Sequence, residues 1–254
     1  MSESFGEVTV TATGPYVAEV EMHRPPANYF DAALLEGIVD SIRWADGQGC
    51  RAVVLCSEGR HFCAGLEFGT GAIPQSDALR TLYRQAVALV SLPLPIVVAV
   101  QGAAVGGGLG LAMVGDFRIA APDSRFAANF ARLGIHQGFG LSATLPRAIG
   151  HQRALELMTT GRRITGEEAY RMGVCDRLSE DPRAEAHRLA GEIADSAPLA
   201  VRSIRATLRD GLVAQFTEAV RHERSEQVRL LGTEDSAEGI AASAARRAPR
   251  FTGR

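Results

Sequence analysis

Two glycine-rich loops hold the residue types best suited to chemistry. The first reads Arg60-His61-Phe62-Cys63-Ala64-Gly65-Leu66-Glu67-Phe68-Gly69, within a stretch running from Gly59 to Gly71. The second reads Gln101-Gly102-Ala103-Ala104-Val105-Gly106-Gly107-Gly108-Leu109-Gly110. Glycine has no Cβ, so backbone N–H groups there can approach a ligand closely. In the second loop the glycines fall at a predicted helix start, where N–H groups are unpaired and the helix dipole favours negative charge. Two such loops, if they converge, can hold one oxyanion, the device that stabilises an enolate or a tetrahedral intermediate. The same glycines also suit plain tight helix–strand packing, and taken alone they favour it. A dinucleotide loop fits less well. No GxGxxG stands at the first strand–helix turn, and the second loop runs Gly-Gly-Gly-Leu-Gly.

The elements that must position these loops follow from periodicity. Val8 to Thr13 and Val17 to His23 alternate apolar and polar residues, which predicts two strands turning at Gly14-Pro15. Asp31 to Trp44 carries helical spacing with Asp31 as a cap. The runs Ala52 to Cys56 and Ile96 to Val100 read as buried strands, each leading into one loop. A helix capped by Ser76 or Asp77 is predicted between the loops, a short apolar helix from Gly106 to about Met113, and a third strand from Asp116 to Ala120. This rhythm argues for an α/β core with a largely parallel sheet. From Leu141 onward helical segments follow one another, divided by Gly150, Gly161, Gly173, Pro198, Gly211 and Gly232, and no comparable strand is expected after about Arg177. The arginine-rich end from Arg246 to Arg254 is either a solvated tail or a packing element.

Composition closes off several functions. The 254 residues are 46% hydrophobic and 22% charged, ordinary globular usage. A net charge of -2 offers no electrostatic case for nucleic acid, and no apolar run is long enough for a membrane span. All 27 basic residues are arginine. Chemistry that needs a lysine amine, such as a Schiff base, is therefore excluded. Cys50, Cys56, Cys63 and Cys175 form no CxxC pair and no zinc-type spacing, so no metal site is expected. With no secretory signal at the N-terminus, a reduced cytoplasmic setting is expected.

At the level of motifs the chain resembles the enoyl-CoA hydratase/isomerase (crotonase) family. The matching residues are Phe62-Cys63-Ala64-Gly65-x-Glu67, the Pro95-to-Gly108 stretch ending in three glycines, Asp116, and Arg24-Pro25-Pro26-Ala27-Asn28. Further matches are Leu133-Gly134, Leu157-x-x-x-Gly161, Ala169-x-x-x-Gly173-Val174-Cys175 and Pro249-Arg250-Phe251. The resemblance implies a crotonase-type α/β spiral of ββα units with a helical C-terminal region. It suggests an acyl-CoA-binding core over residues 1–195 and an oligomerisation region over 196–254, assembling as a homotrimer or hexamer. It implies an acyl-CoA substrate that carries coenzyme A itself, with no separate cofactor. The thioester oxyanion would be held by the N–H groups of Leu66 and Gly107, with Ala64, Gly65 and Gly106 shaping the coenzyme A site. Arg24, and after it Arg60, are candidates for its phosphates.

The departures from the family are informative. Hydratases of the family use two glutamates, and the matching positions here are Gly110 and Phe130. Neither residue transfers a proton, so two-carboxylate addition of water has no evident acid or base. An aspartate common eight residues beyond the second glutamate is replaced by Gly138. His136, in a loop that bounds the acyl pocket in relatives, is a candidate acid or base, or else a structural histidine bonded to a loop carbonyl. Glu67 either reaches the thioester region or ties down its loop. Cys63 is a conceivable nucleophile without an assignable base. Phe130, with Phe139 and Phe126, implies a drier acyl pocket. Three readings stay open: an enzyme of hydratase/isomerase type, a non-catalytic acyl-CoA binder, and a decarboxylase or thioester hydrolase of the same fold.

Overall fold

The structure, a computed structural model, describes residues 1–67 and 76–254. Phe68, Gly69 and Gly71 of the first loop lie outside the described residues, as does the side chain of Ser76 offered as a cap. The strands are β1 (Ser2–Phe5), β2 (Val8–Ala12), β3 (Val17–Met22), β4 (Ala52–Ser57), β5 (Ile96–Val100), β6 (Ala103–Val105), β7 (Phe117–Ala120), β8 (Arg125–Ala127), β9 (Arg163–Thr165) and β10 (Arg177–Leu178). The helices are α1 (Ala32–Gly47), α2 (Ser76–Val90), α3 (Gly107–Val114), α4 (Leu141–Ile149), α5 (His151–Thr160), α6 (Gly166–Met172), α7 (Pro182–Ala194), α8 (Pro198–Leu208), α9 (Leu212–Leu231) and α10 (Glu234–Ala244). A 3-10 turn spans Asn129–Leu133.

Seven strands form one sheet in the order β1-β2-β3-β4-β5-β7-β10. The β1–β2 and β2–β3 pairs are antiparallel, and every later neighbour is parallel. Strand β5 and residues Ala52 to Cys56 of β4 are continuously apolar because both faces are covered. One face joins the main core with Leu35, Ile38 and Leu89 of α1 and α2. On the other, Val54, Cys56, Val97 and Ala99 pack against Ala186, Leu189 and Ala190 of α7. Asp31 caps α1 as expected, accepting from the Leu34 N–H at 2.9 Å.

A second sheet of three strands, β6-β8-β9, stands apart from the first. Periodicity did not predict these strands, nor β1. Three-residue strands have almost no period of their own, and they form because distant segments pair. Strand β9 lies between the helical segments expected from Leu141 onward, before the point at about Arg177 after which no comparable strand was expected. The arginine-rich end packs back rather than trailing free. Asp235 accepts from the N–H groups of Thr252 at 2.6 Å and Gly253 at 2.8 Å.

The helices after residue 195 close onto the chain's own core. Helix α9 packs on α2 and α4, and α10 packs on the 3-10 turn. Asp116 is structural: it accepts from the Ile96 N–H and from Arg205 and Arg209.

Candidate functional site

The two glycine loops are stitched together by backbone hydrogen bonds. The Phe62 N–H donates to the Gln101 carbonyl at 2.9 Å, Cys63 to Ala103 at 3.0 Å, and Val105 to Cys63 at 3.0 Å. Gly65 has φ +86°, and a Cβ there would stand 2.9 Å from the Val105 oxygen and 3.0 Å from the Gly107 nitrogen. Only glycine fits so close an approach. A Cβ on Gly108 would fall 2.0 Å from the Cys63 oxygen. The first turn of α3 is therefore pressed against the first loop.

Gly107 is the first residue of α3, so its N–H has no intrahelical acceptor. Among the described residues, neither it nor the Leu66 N–H donates to a backbone carbonyl. Gly106 is anchored by its N–H to the Ala127 carbonyl at 2.8 Å, and the Phe30 N–H donates to the Gly65 carbonyl at 3.0 Å. Two unpaired donors thus sit on adjoining, immobilised backbone, with the positive end of the α3 dipole behind one of them.

They face a cavity of about 360 Å³. Ala64, Leu66, Gly106 and Gly107 line one part of it, and Phe30, Phe130, Phe139 and Leu133 form apolar walls. Helices α9 and α10 complete it with Gln227, Ile240, Ser243 and Ala244, so residues on both sides of position 195 share the site.

The two positions matching the family glutamates are filled by aromatic rings. A Cβ on Gly110 would lie 2.5 Å from the Phe139 Cβ. Phe139, at φ +60°, packs its ring 5.0 Å from that of Phe30. Phe130 is buried and lines the cavity. Among the described residues no carboxylate lines it. A fully buried glutamate does lie nearby. Glu223 of α9 accepts from the N–H groups of Gly140 at 2.7 Å and Ser142 at 2.9 Å, capping α4 from a distance. Burial pushes its carboxyl above the ordinary glutamate value, against the pull of those donors.

Of the residues singled out from sequence, Leu66, Gly107, Ala64 and Gly106 line the cavity, and Gly65 braces them from behind. Four others are placed elsewhere. The His136 Nδ1 stands 2.9 Å from the Gln137 carbonyl, and its ring meets His222 edge-on at 5.6 Å. That contact fits the structural alternative, and His136 does not line the cavity. Glu67 is exposed and does not line the cavity. Arg24 is engaged by Glu7 and Asp31 and contributes nothing to the lining. Cys63 is completely buried, which pushes its thiol up to about 12 and argues against a nucleophilic role. Sequence reasoning passed over the polar lining residues, among them Tyr83, Asn129, Arg163 and Gln227. The Tyr83 hydroxyl donates to the Gln227 Oε1 at 2.6 Å, a contact between residues on different helices that no local pattern announces.

Residues 13–254 match the family model described as enoyl-CoA hydratase/isomerase. The chain belongs to that family. Among curated relatives, a Bacillus subtilis protein named "Probable enoyl-CoA hydratase" is 32% identical over 251 residues, covering 95% of this chain and 97% of its own. A carnitinyl-CoA dehydratase of Proteus mirabilis is 32% identical, covering 94% and 95%. The crystal structure of an enoyl-CoA hydratase/isomerase from Pseudoalteromonas atlantica superposes with a TM-score of 0.86 at 28% identity, over 97% of this chain and 100% of that one. An enoyl-CoA hydratase from Mycobacterium avium subsp. paratuberculosis gives 0.85 at 26% identity, over 97% and 99%. The enoyl-CoA hydratase/isomerase fold is thus the one expected from the motifs. This family member carries Gly110 and Phe130 where the motif match places glutamates.

Proposed function

We propose that this family member binds an acyl-CoA thioester with the carbonyl oxygen between the N–H groups of Leu66 and Gly107, and that it stabilises the thioester enolate. The observation that carries the reading is the convergence of the two loops, which leaves both donors unpaired at one end of a largely apolar cavity. When a bond at the α-carbon breaks, negative charge collects on the thioester oxygen. Preorganised N–H donors in a dry site stabilise that charge most where it is greatest. Coenzyme A enters as part of the substrate.

Hydration is disfavoured, because no carboxylate stands at position 110 or 130 to activate or deliver water. The lack of carboxylates among the described residues of the lining favours a second reading, decarboxylation of a malonyl-type thioester. There the C–C bond to the carboxylate breaks, carbon dioxide leaves, and the electron pair becomes the enolate. Water then supplies the proton to the α-carbon, so no protein base is needed. Association of copies through α8 is also inferred, since Leu199, Ile204 and Leu208 of that helix are exposed.

The test incubates the protein in deuterated water with saturated, 2-enoyl, 3-enoyl and malonyl-type CoA thioesters, followed by mass spectrometry. Deuterium at the α-carbon or loss of carbon dioxide is the expected result. Binding of thioesters with no change in any of them would reduce the protein to a non-catalytic binder. Failure of every thioester to bind would overturn the reading.

A further inference from the structure

We propose that the acyl group bound here carries a second carboxylate, held by Arg163 and Asn129. The inference deepens the acyl-CoA reading and rests on it. Arg163 opens β9 and registers with Ala127 of β8, the residue whose carbonyl anchors Gly106. Asn129 follows two residues after Ala127, and its Oδ1 lies 3.2 Å from where a Cβ on Gly106 would be. Both side chains line the cavity beside Phe130.

The two cations at positions 162 and 163 are treated differently. Arg162 is occupied by Glu156 at 2.7 Å and Glu168 at 2.7 Å. Arg163 has no carboxylate within ion-pair distance among the described residues, and it is the only charged side chain among the described residues of the lining. A guanidinium without a partner at an apolar cavity is matched by an anion from the ligand, and its planar fork fits a carboxylate through two parallel hydrogen bonds. The Asn129 carboxamide, likewise without a hydrogen-bond partner among the described residues, supplies a neutral donor to the same anion. Its place beside Gly106 puts that anion near the thioester, so a short dicarboxylic acyl chain is the fitting class. A phosphate of coenzyme A has related chemistry and is the competing source.

Calorimetric titration of the full chain separates the two sources. The ligands are malonyl-CoA, glutaryl-CoA, butyryl-CoA and free coenzyme A. Glutaryl-CoA has no carboxylate on its α-carbon, so its binding is read without breakdown. The wild type is expected to bind at least one carboxylated thioester more tightly than butyryl-CoA, by roughly tenfold, the scale of one charge-assisted hydrogen bond. Arg163→Met removes that preference while leaving butyryl-CoA and free coenzyme A unchanged, and Asn129→Leu removes part of it. Arg163 is exposed and has no ion pair among the described residues, so its replacement leaves the melting temperature in place. Equal weakening of all four ligands in Arg163→Met would assign the arginine to a phosphate and overturn the proposal. So would a wild type that binds butyryl-CoA as tightly as the carboxylated thioesters, although the acyl-CoA reading would stand. If no thioester binds, both fall.

Discussion

The Cβ of Phe139 stands 2.5 Å from the place a Cβ on Gly110 would take. One ring therefore occupies the space from which a side chain at position 110 would enter the cavity. The loss of the carboxylate there is structural as well as chemical. Restoring a single glutamate, as in Phe130→Glu, is expected to leave hydration of 2-enoyl-CoA undetectable, because the second group has nowhere to stand.

The same contact predicts a stability effect of unusual sign. Gly110 lies inside α3, where glycine to alanine ordinarily stabilises by about 1 kcal/mol. Here the added methyl meets a Cβ fixed to backbone, and overpacking of this kind costs about 1–3 kcal/mol. The clash wins, so Gly110→Ala is expected to lower the unfolding free energy. In a Phe139→Gly background that penalty should vanish or reverse. Urea titration of the double-mutant cycle measures the coupling.

The oxyanion assignment is tested by comparing two substitutions at Gly107. A Cβ there would meet the Phe30 ring at 2.6 Å, so any residue but glycine disturbs the site. Gly107→Ala keeps the N–H and adds that Cβ. Gly107→Pro adds the same Cβ, with two further ring carbons, and deletes the N–H, at a helix position where proline is tolerated. Loss of one such donor costs on the order of 10²–10³ in turnover. Turnover of the proline variant is expected to fall below that of the alanine variant by that factor. Equal rates in two folded variants would remove Gly107 from the mechanism.

How much of this was legible beforehand depended on whether the determining contacts were local. The continuous runs Ile96–Val100 and Ala52 to Cys56 announced buried strands, because burial on both faces leaves an apolar residue at every position of each run. Asp31 announced its own helix, because a cap acts three residues away. The two donors, Leu66 and Gly107, were placed by motif resemblance, which encodes the three-dimensional match that glycine spacing alone leaves open. Strands β6, β8 and β9 were not legible, since each exists only through its partner. Arg163 and Asn129 escaped for a related reason: what distinguishes Arg163 from Arg162 is the absence of an ion pair among the described residues, visible only when the chain is folded.

The cysteines give a prediction about reactivity. All four are buried. Burial raises each thiol, Cys63 and Cys175 to about 12, with nearby acidic groups adding to the effect at Cys50, Cys56 and Cys175. Thiolate is the reactive form, so a disulfide reagent at pH 8 is expected to label none in the native protein and all four after denaturation. Rapid native labelling of Cys63, accompanied by loss of turnover, would restore it as a nucleophile.

Acid stability should depend on the contact between β3 and α7. Arg183 donates to Glu19 and, at 2.7 Å, to Glu21, and His187 bonds Glu19 at 2.7 Å. Burial tends to raise the Glu19 carboxyl, but the hydrogen bonds from His187 and Arg183 outweigh it and hold the group at about 2, below its ordinary 4.5. A carboxyl held below its unfolded value stabilises the fold above that value, and the contribution is lost as pH falls from about 4.5 to about 2. Other carboxylates titrate in the same range, so the informative quantity is a difference. The melting temperature of the wild type should exceed that of Glu19→Gln at neutral pH, with the gap narrowing through that window and closing at its acid end. A gap that does not change with pH would mean that the substitution acts through packing, and that the charge on Glu19 contributes nothing to holding α7 against the sheet.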